Sequence, residues 1–163
     1  MSLLYEGTNE IQAIDLLLRK VIADKGSRAR RRSSGIFAPS PANLGTSNLN
    51  CGTLTTRSNS LCIGVEQLTA RIIRESVTDA ELPHRVADDY LGMIGWLLLV
   101  YAWARTLRLA AHASGRDPFY AEKSVTGHQF FAYRIAEFAH RKRLVEAGCR
   151  TALPSVSHTF AAQ

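Results

Sequence analysis

The sequence predicts an all-α fold, an antiparallel helical bundle with a long irregular or disordered insert. Three observations predict it. Apolar residues recur at helical spacing through several stretches, at the i, i+3, i+4 intervals that put them on one helix face. No stretch shows the strict alternation of a half-buried strand. The insert, residues 26–64, is crowded with Ser, Gly, Asn, Thr and Pro and contains no Asp or Glu, a composition that buries too little apolar surface to offset chain entropy. With 163 residues, 46% of them hydrophobic, one domain with a core of useful size is the default.

The first helix is expected after Thr8. Thr8 is a cap-type residue, and Glu10 puts negative charge in the first turn. Ile11, Ile14, Leu17, Leu18, Val21 and Ile22 form one stripe, and Lys25 with Gly26 supplies an end signal. After the insert, residues 65–77 read as a helix with Val65, Leu68, Ile72 and Ile73 on its apolar side, and Pro83 punctuates the chain. A long helix follows over about 84–113. It is apolar nearly all round between Leu91 and Leu109, which places it in the middle of a bundle. Ser114 and Gly115 end it. Asp117 and Pro118 start the last helix as N-cap and first helical residue, and that helix continues to about Gly148. Phe119, Phe130, Phe131, Ile135, Phe138 and Leu144 supply its buried side, and Arg141, Lys142 and Arg143 suit the negative end of its dipole.

The net charge of +6 is unevenly spread. Arg28, Arg30, Arg31, Arg32 and Arg57 give the insert +5, and the rest of the chain is nearly neutral with 15 basic against 14 acidic groups, from totals of 20 and 14. The three cysteines, Cys51, Cys62 and Cys149, make no disulfide framework or zinc signature, so reduced thiols in a cytoplasmic protein are expected. No metal site is expected, because His84, His112, His128, His140 and His158 show no His-x-x-x-His pairing, and His128 and His140 read as core-edge or surface residues. The longest uncharged run of predominantly apolar residues, 90–104, is short of the roughly 20 residues a membrane span needs, so a buried helix is expected, with no transmembrane segment. The N-terminus lacks the basic leader and apolar stretch of a signal peptide.

The sharpest chemical signal is Leu4-Tyr5-Glu6-Gly7-Thr8-Asn9-Glu10-Ile11-Gln12. A carboxylate stands just before a glycine, where the chain can approach a ligand closely, and before a helix start whose exposed amides can hold an anionic or polar group. By themselves these residues fit a capped helix with a solvated Glu better than a binding site, since charged residues mostly lie exposed. The string Tyr-Glu-Gly-Thr-Asn-x-Ile-Gln, however, resembles the signature of the acyl-CoA dehydrogenase family. Asp15-Leu16-Leu17-Leu18-Arg19-Lys20-Val21 is similar to the continuation of that helix in bacterial members with an extended C-terminal helical domain. Asp117-Pro118-Phe119-Tyr120-Ala121-Glu122-Lys123 and Phe130-Phe131 are similar to the extension itself. The resemblance spans residues 3–24 and 84–150.

The resemblance implies FAD-dependent α,β-dehydrogenation of acyl-CoA thioesters, as in fatty acid metabolism. Glu6 would be the base that removes the α-proton and Gly7 would border the thioester, while Tyr5 would line the acyl pocket or, equally, pack in the core. Thr8, Asn9 and Glu10 match flavin-contacting positions, although family members often carry Gly or Ser where Glu10 stands. A desolvated carboxylate is a stronger base than one in water, which suits a weakly acidic α-proton, and the flavin takes the hydride. The implied partners are the acyl-CoA substrate, an electron-transfer acceptor and, in the full-length enzyme, further copies of the chain. Family enzymes carry an N-terminal helical domain and a middle β-domain ahead of this motif, so the chain is expected to be a C-terminal fragment, inactive in isolation.

The expected organisation is therefore residues 1–25 as the end of the dehydrogenase helical domain, 26–64 as the basic span, 65–150 as the C-terminal helical extension and 151–163 as a tail. Three readings of 26–64 stay open: a disordered insert, a span translated out of frame, and a tether for polyanions. Charge runs bind polyanions weakly and without sequence preference, and Phe37 alone offers stacking, which argues against nucleic acid as a partner. A different class of function is a non-catalytic helical interaction module whose basic segment binds polyanions.

Overall fold

The structure, a computed structural model, describes residues 2–24, 49–113 and 117–151. Its described elements are all helical and make four rods. The first is α1 (Ser2–Asp15) continued by a π-helical stretch, π1 (Leu16–Ile22). The second is α2 (Leu49–Glu75) and the third α3 (Leu82–Ala113). The fourth is α4 (Pro118–Gln129), a second π-helical stretch π2 (Phe130–Arg134), and α5 (Ile135–Arg150).

Helix α3 touches every other rod and so occupies the centre, as its apolar length predicts. Tyr90, Met93 and Val100 on α3 are essentially inaccessible, together with Leu17, Ile72, Phe138 and Val145 from the surrounding rods. A second cluster joins Val100 and Leu107 to Phe130, Phe131 and Ile135. Phe130 stacks between Trp96 and Trp103, with ring centroids 6.3 and 5.9 Å away. Phe130 and Phe131 are adjacent yet both buried. The wider i→i+5 turn of π2 shifts the phase of the rod and brings both rings inward. The rods approach closely at two glycines. A Cβ on Gly127 would meet Leu107 at 2.6 Å, and one on Gly148 would meet Val86 at 2.5 Å.

The start of the fourth rod follows its sequence. Asp117 is extended, at φ −155° and ψ 135°, and its carboxylate accepts the Phe119 N–H at 2.8 Å, with Pro118 opening the helix. Other expectations are corrected. The second rod starts at Leu49 and not near Val65, so residues 49–64, read as irregular, are helical. Ser58 and Cys62 are buried there, so packing overrides a Ser/Thr/Asn composition of weak helix propensity. Phe119 and Leu144, expected inside, are 53% and 39% exposed. Phe119 lies in the first turn, beside Tyr120 and under the Lys123 ammonium 5.2 Å from its centroid. Arg141, Lys142 and Arg143 are not at a helix end, because the rod continues to Arg150. Arg141 and Lys142 make ion pairs instead.

Helix α3 is also less enclosed than expected: Leu98, Leu99 and Leu109 are exposed. By length and composition Leu82–Ala113 is, among the described residues, the one helix that could cross a membrane. The arginine-rich stretch 28–32, the end signals at Lys25, Gly26, Ser114 and Gly115, and the tail after residue 151 lie outside the described residues.

Candidate functional site

The candidate site residues, Tyr5 to Glu10, all fall in α1. The rod is anchored downstream of them, by Ala13, Leu17 and Val21, which are buried. Their four-residue spacing follows the i→i+5 bonding of π1, which takes more residues per turn than an α-helix. Asp15 and Arg19 add an exposed ion pair at 2.7 Å along the same rod. Leu17 and Val21 of the expected stripe are buried and Ile14, Leu18 and Ile22 half-buried, whereas Ile11 is 71% exposed.

The helix begins at Ser2, so Thr8 is not its N-cap. Gly7 is tolerated inside a helix at a cost of about 1 kcal/mol against Ala, and the flanking Leu3, Leu4 and Glu6 are good helix formers. The consequence is chemical. The peptide N–H groups of Gly7 to Glu10 lie beyond the first four of the helix and bond within it, so they form no anion-binding start. What this part of α1 offers a flavin is side chains. Thr8, Asn9 and Glu10 are all exposed, together with Ile11 and Gln12. The Thr8 hydroxyl and Asn9 amide suit polar contacts with the neutral part of a flavin, whereas the Glu10 carboxylate would repel its phosphates. Glu6 stands one turn before Asn9 and Glu10 in the helix, and Tyr5 and Gly7 flank it.

The remaining titratable groups serve the fold. Asp79 forms a turn before α3. Its Oδ1 accepts the N–H groups of Glu81 and Leu82, each at 3.1 Å, and its carboxylate is bonded by Arg85. The Arg85 hydrogen bond holds the Asp79 carboxyl below the usual carboxylate range. Arg141 of α5 reaches across to α3 and meets Asp89 at 2.7 Å and Asp88 at 3.1 Å. Burial pushes the Cys62 thiol up to about 12 and also raises Cys149, where it outweighs the pull of Arg71. Neither thiol is primed as a nucleophile. His84, His128 and His140 are exposed, and the His128 ring bonds the Ser124 carbonyl at 2.7 Å. Among the described residues no three His, Cys, Asp or Glu side chains converge as a metal site. The sequence reading missed the Asp79 turn, which an acidic residue three positions before a helix with Pro at its second position could have signalled. It also missed both π-helical stretches, for which it holds no signal.

The described elements form a helical bundle built round one long apolar helix. Residues 46–154, about two thirds of the chain, match the family described as acetyl-CoA dehydrogenase C-terminal like, and the chain belongs to that family. A search of curated proteins and a search of solved structures each found no match.

Proposed function

We propose that this chain is the C-terminal helical part of an FAD-dependent acyl-CoA dehydrogenase. The supporting observation is that the family match over residues 46–154 shares one chain with the Tyr5-Glu6-Gly7-Thr8-Asn9 string. In this reading Glu6 removes the α-proton of an acyl-CoA thioester. Gly7 lets the thioester approach the helix, and Tyr5 borders the acyl chain. Thr8 and Asn9 hold the neutral part of the flavin through their side chains, and Glu10 borders that part, away from the phosphates. The flavin, when bound, accepts the hydride from the β-carbon.

A base of this kind needs to be desolvated. Residues 8–12 are open to water in the described structure, so a covering surface has to be supplied by other domains or by another subunit. The isolated chain therefore binds flavin weakly and does not turn over, and its place is in the cytoplasm with an electron-transfer acceptor.

The test mixes the purified chain with the separately produced N-terminal and middle domains of an acyl-CoA dehydrogenase. Dye reduction by acyl-CoA and loss of the substrate α-proton into deuterated water are both followed. The assembled sample should exchange and oxidise, and Glu6→Gln should lose at least a thousandfold in exchange with flavin content unchanged. Full exchange by Glu6→Gln would remove Glu6 from the mechanism. Turnover by the isolated chain would refute its dependence on a covering surface.

A further inference from the structure

The fourth rod turns a basic face to solvent. On α5, Phe138, Arg141, Val145 and Gly148 point towards α3: Phe138 and Val145 are buried, Arg141 bonds Asp89, and a Cβ on Gly148 would meet Val86. Half a turn round, at intervals of three and four, stand Tyr133, Ala136, His140 and Arg143, with Arg150 two turns further on. Each of these is exposed, Tyr133 at 77%. No Asp or Glu shares the face. The acids between positions 133 and 150 are Glu137 and Glu146, and they are half-buried and engaged by Arg141 and Lys142. Among the described residues His140, Arg143 and Arg150 have no ion-pair partner.

The helix itself explains only part of this face. The dipole favours a cation in the last turn, which holds Arg150 but neither His140 nor Arg143. The chain also has no acidic segment left to lie there: residues 1, 25–48, 114–116 and 152–163, outside the described ones, contain no Asp or Glu. An anion for the face therefore comes from another molecule. We propose that a single-stranded nucleic acid lies along the outer face of α5, with phosphates on Arg143 and Arg150 and a base stacked on Tyr133. The two arginines stand about 10 Å apart along the axis, at about 1.5 Å per residue, and so meet different phosphates of one strand. His140 adds a hydrogen-bond donor between Tyr133 and Arg143, and Arg134 stands exposed beside the ring. Every base has a face to stack on an aromatic side chain, and the small, exposed Ala132 and Ala136 leave the flank of Tyr133 open to one. The insert joins its arginines to Phe37 alone, whereas α5 sets a ring and guanidinium groups on one helix. An acidic lipid surface fits less well. A helix lying in an interface buries large apolar side chains beside its cations, and here Leu144, 39% exposed, is the one large aliphatic residue at the edge of the face. This inference does not rest on the catalytic reading of Glu6.

Fluorescence anisotropy of a labelled oligothymidylate of about 15 nucleotides, titrated with the whole chain at several salt concentrations, tests it. Wild type should bind, and its affinity should fall as salt rises. Arg143→Ala with Arg150→Ala should keep wild-type helicity by circular dichroism and weaken binding at least tenfold. It should also reduce the slope of log affinity against log salt by about 0.7 per arginine. Tyr133→Ala should weaken binding several-fold with the salt slope unchanged, and Tyr133→Phe should restore it. Arg74→Ala, which removes an exposed arginine from α2, should change binding little. Absence of binding at low salt would overturn the proposal. So would equal losses from Arg74→Ala and Arg143→Ala, or binding that survives the α5 substitutions but not the replacement of Arg30, Arg31 and Arg32 by Ser. Equally tight binding of polyglutamate or of phosphatidylglycerol vesicles would also overturn it.

Discussion

The hydroxyl of Tyr90, buried in the middle of α3, lies 2.8 Å from the hydroxyl of Thr69 on α2. Thr69 spends its one proton on the Val65 carbonyl, also at 2.8 Å, so Tyr90 is the donor of the pair. The Tyr90 hydroxyl thus has its partner inside the core, where burial also pushes its pKa up. Thr69→Val keeps the shape but strands the Tyr90 donor, and should cost about 1–3 kcal/mol. Tyr90→Phe removes the donor and leaves Thr69 bonded to Val65, so its cost should be smaller, about 1 kcal/mol. Urea unfolding of both variants, with the double variant closing the cycle, measures the coupling. Equal costs for the two singles would contradict the assigned donor.

Gly127 and Leu107 mark the contact of α4 with α3. A Cβ on Gly127 would fall 2.6 Å from Leu107 Cδ2 and 2.7 Å from its Cγ. The whole isobutyl group would have to move in a cluster that already holds Phe130 and Phe131. Gly127→Ala gains about 1 kcal/mol of helix propensity and meets overpacking of about 1–3 kcal/mol. The expected result is a net loss of stability. Leu107→Ala leaves a cavity of its own, so the double variant Gly127→Ala with Leu107→Ala should lose less than the sum of the two single losses, and thermal unfolding of the three variants decides.

These contacts show what the sequence could and could not convey. The two rods beginning at Leu82 and Pro118 were legible because apolar residues recur along them and Pro83 and the Asp117-Pro118 pair punctuate their starts. Residues 49–64 were not. Their Thr, Ser and Asn content argues locally against helix, and only the burial of Ser58 and Cys62 against the other rods reverses that. The π-helical phase shifts that bury Phe130 beside Phe131 arise from tertiary packing, which no local pattern records. For the candidate site, the residue types from Tyr5 to Glu10 could be read, but their surroundings could not. The capped start expected at Thr8 gave way to a helix from Ser2, because one glycine is a small penalty within a rod anchored by Ala13, Leu17 and Val21.

The Asp79 turn predicts an acid-sensitive contribution. Its carboxyl titrates below the ordinary 3.8, chiefly through the Arg85 hydrogen bond. A carboxyl depressed in the folded state stabilises above its unfolded value, and that contribution fades as pH falls through its folded value. Asp79→Ala should therefore lower the melting temperature at pH 7. At pH 2 the two proteins should melt closer together. An undiminished difference at pH 2 would mean that the Asp79 carboxylate charge is not what stabilises the turn.

Arg141 joins α5 to α3 through Asp89 and Asp88, and Glu137 stands 3.7 Å from its Nε. The guanidinium is about one third exposed, so water and salt weaken the pairs. Arg141→Met keeps the aliphatic stem against the helix and should cost about 1 kcal/mol or less at low salt. In 1 M sodium chloride the difference from wild type should shrink, as measured by thermal unfolding in both conditions. A difference unchanged by salt would assign the loss to packing.

Cys62 sets the alkaline limit. Its thiol titrates at an ordinary 9.0 when exposed and is pushed to about 12 by burial, with Glu66 adding to the rise. Between those values the unfolded chain loses a proton that the folded chain keeps, so stability falls as pH rises from about 9 towards 12. Tyr90, raised above 10.0 by burial, acts in the same direction from pH 10 upward. Replacing the thiol by a group that does not titrate should flatten the first part of this decline. Cys62→Ala is expected to start less stable at pH 7, because it leaves a small cavity, and then to lose less than wild type between pH 8.5 and 10. Denaturant midpoints across that range measure it. In the native protein Cys62 should also react with a thiol reagent at pH 8 only as fast as the chain opens. Rapid stoichiometric labelling without unfolding would show that the thiol is not held in the core.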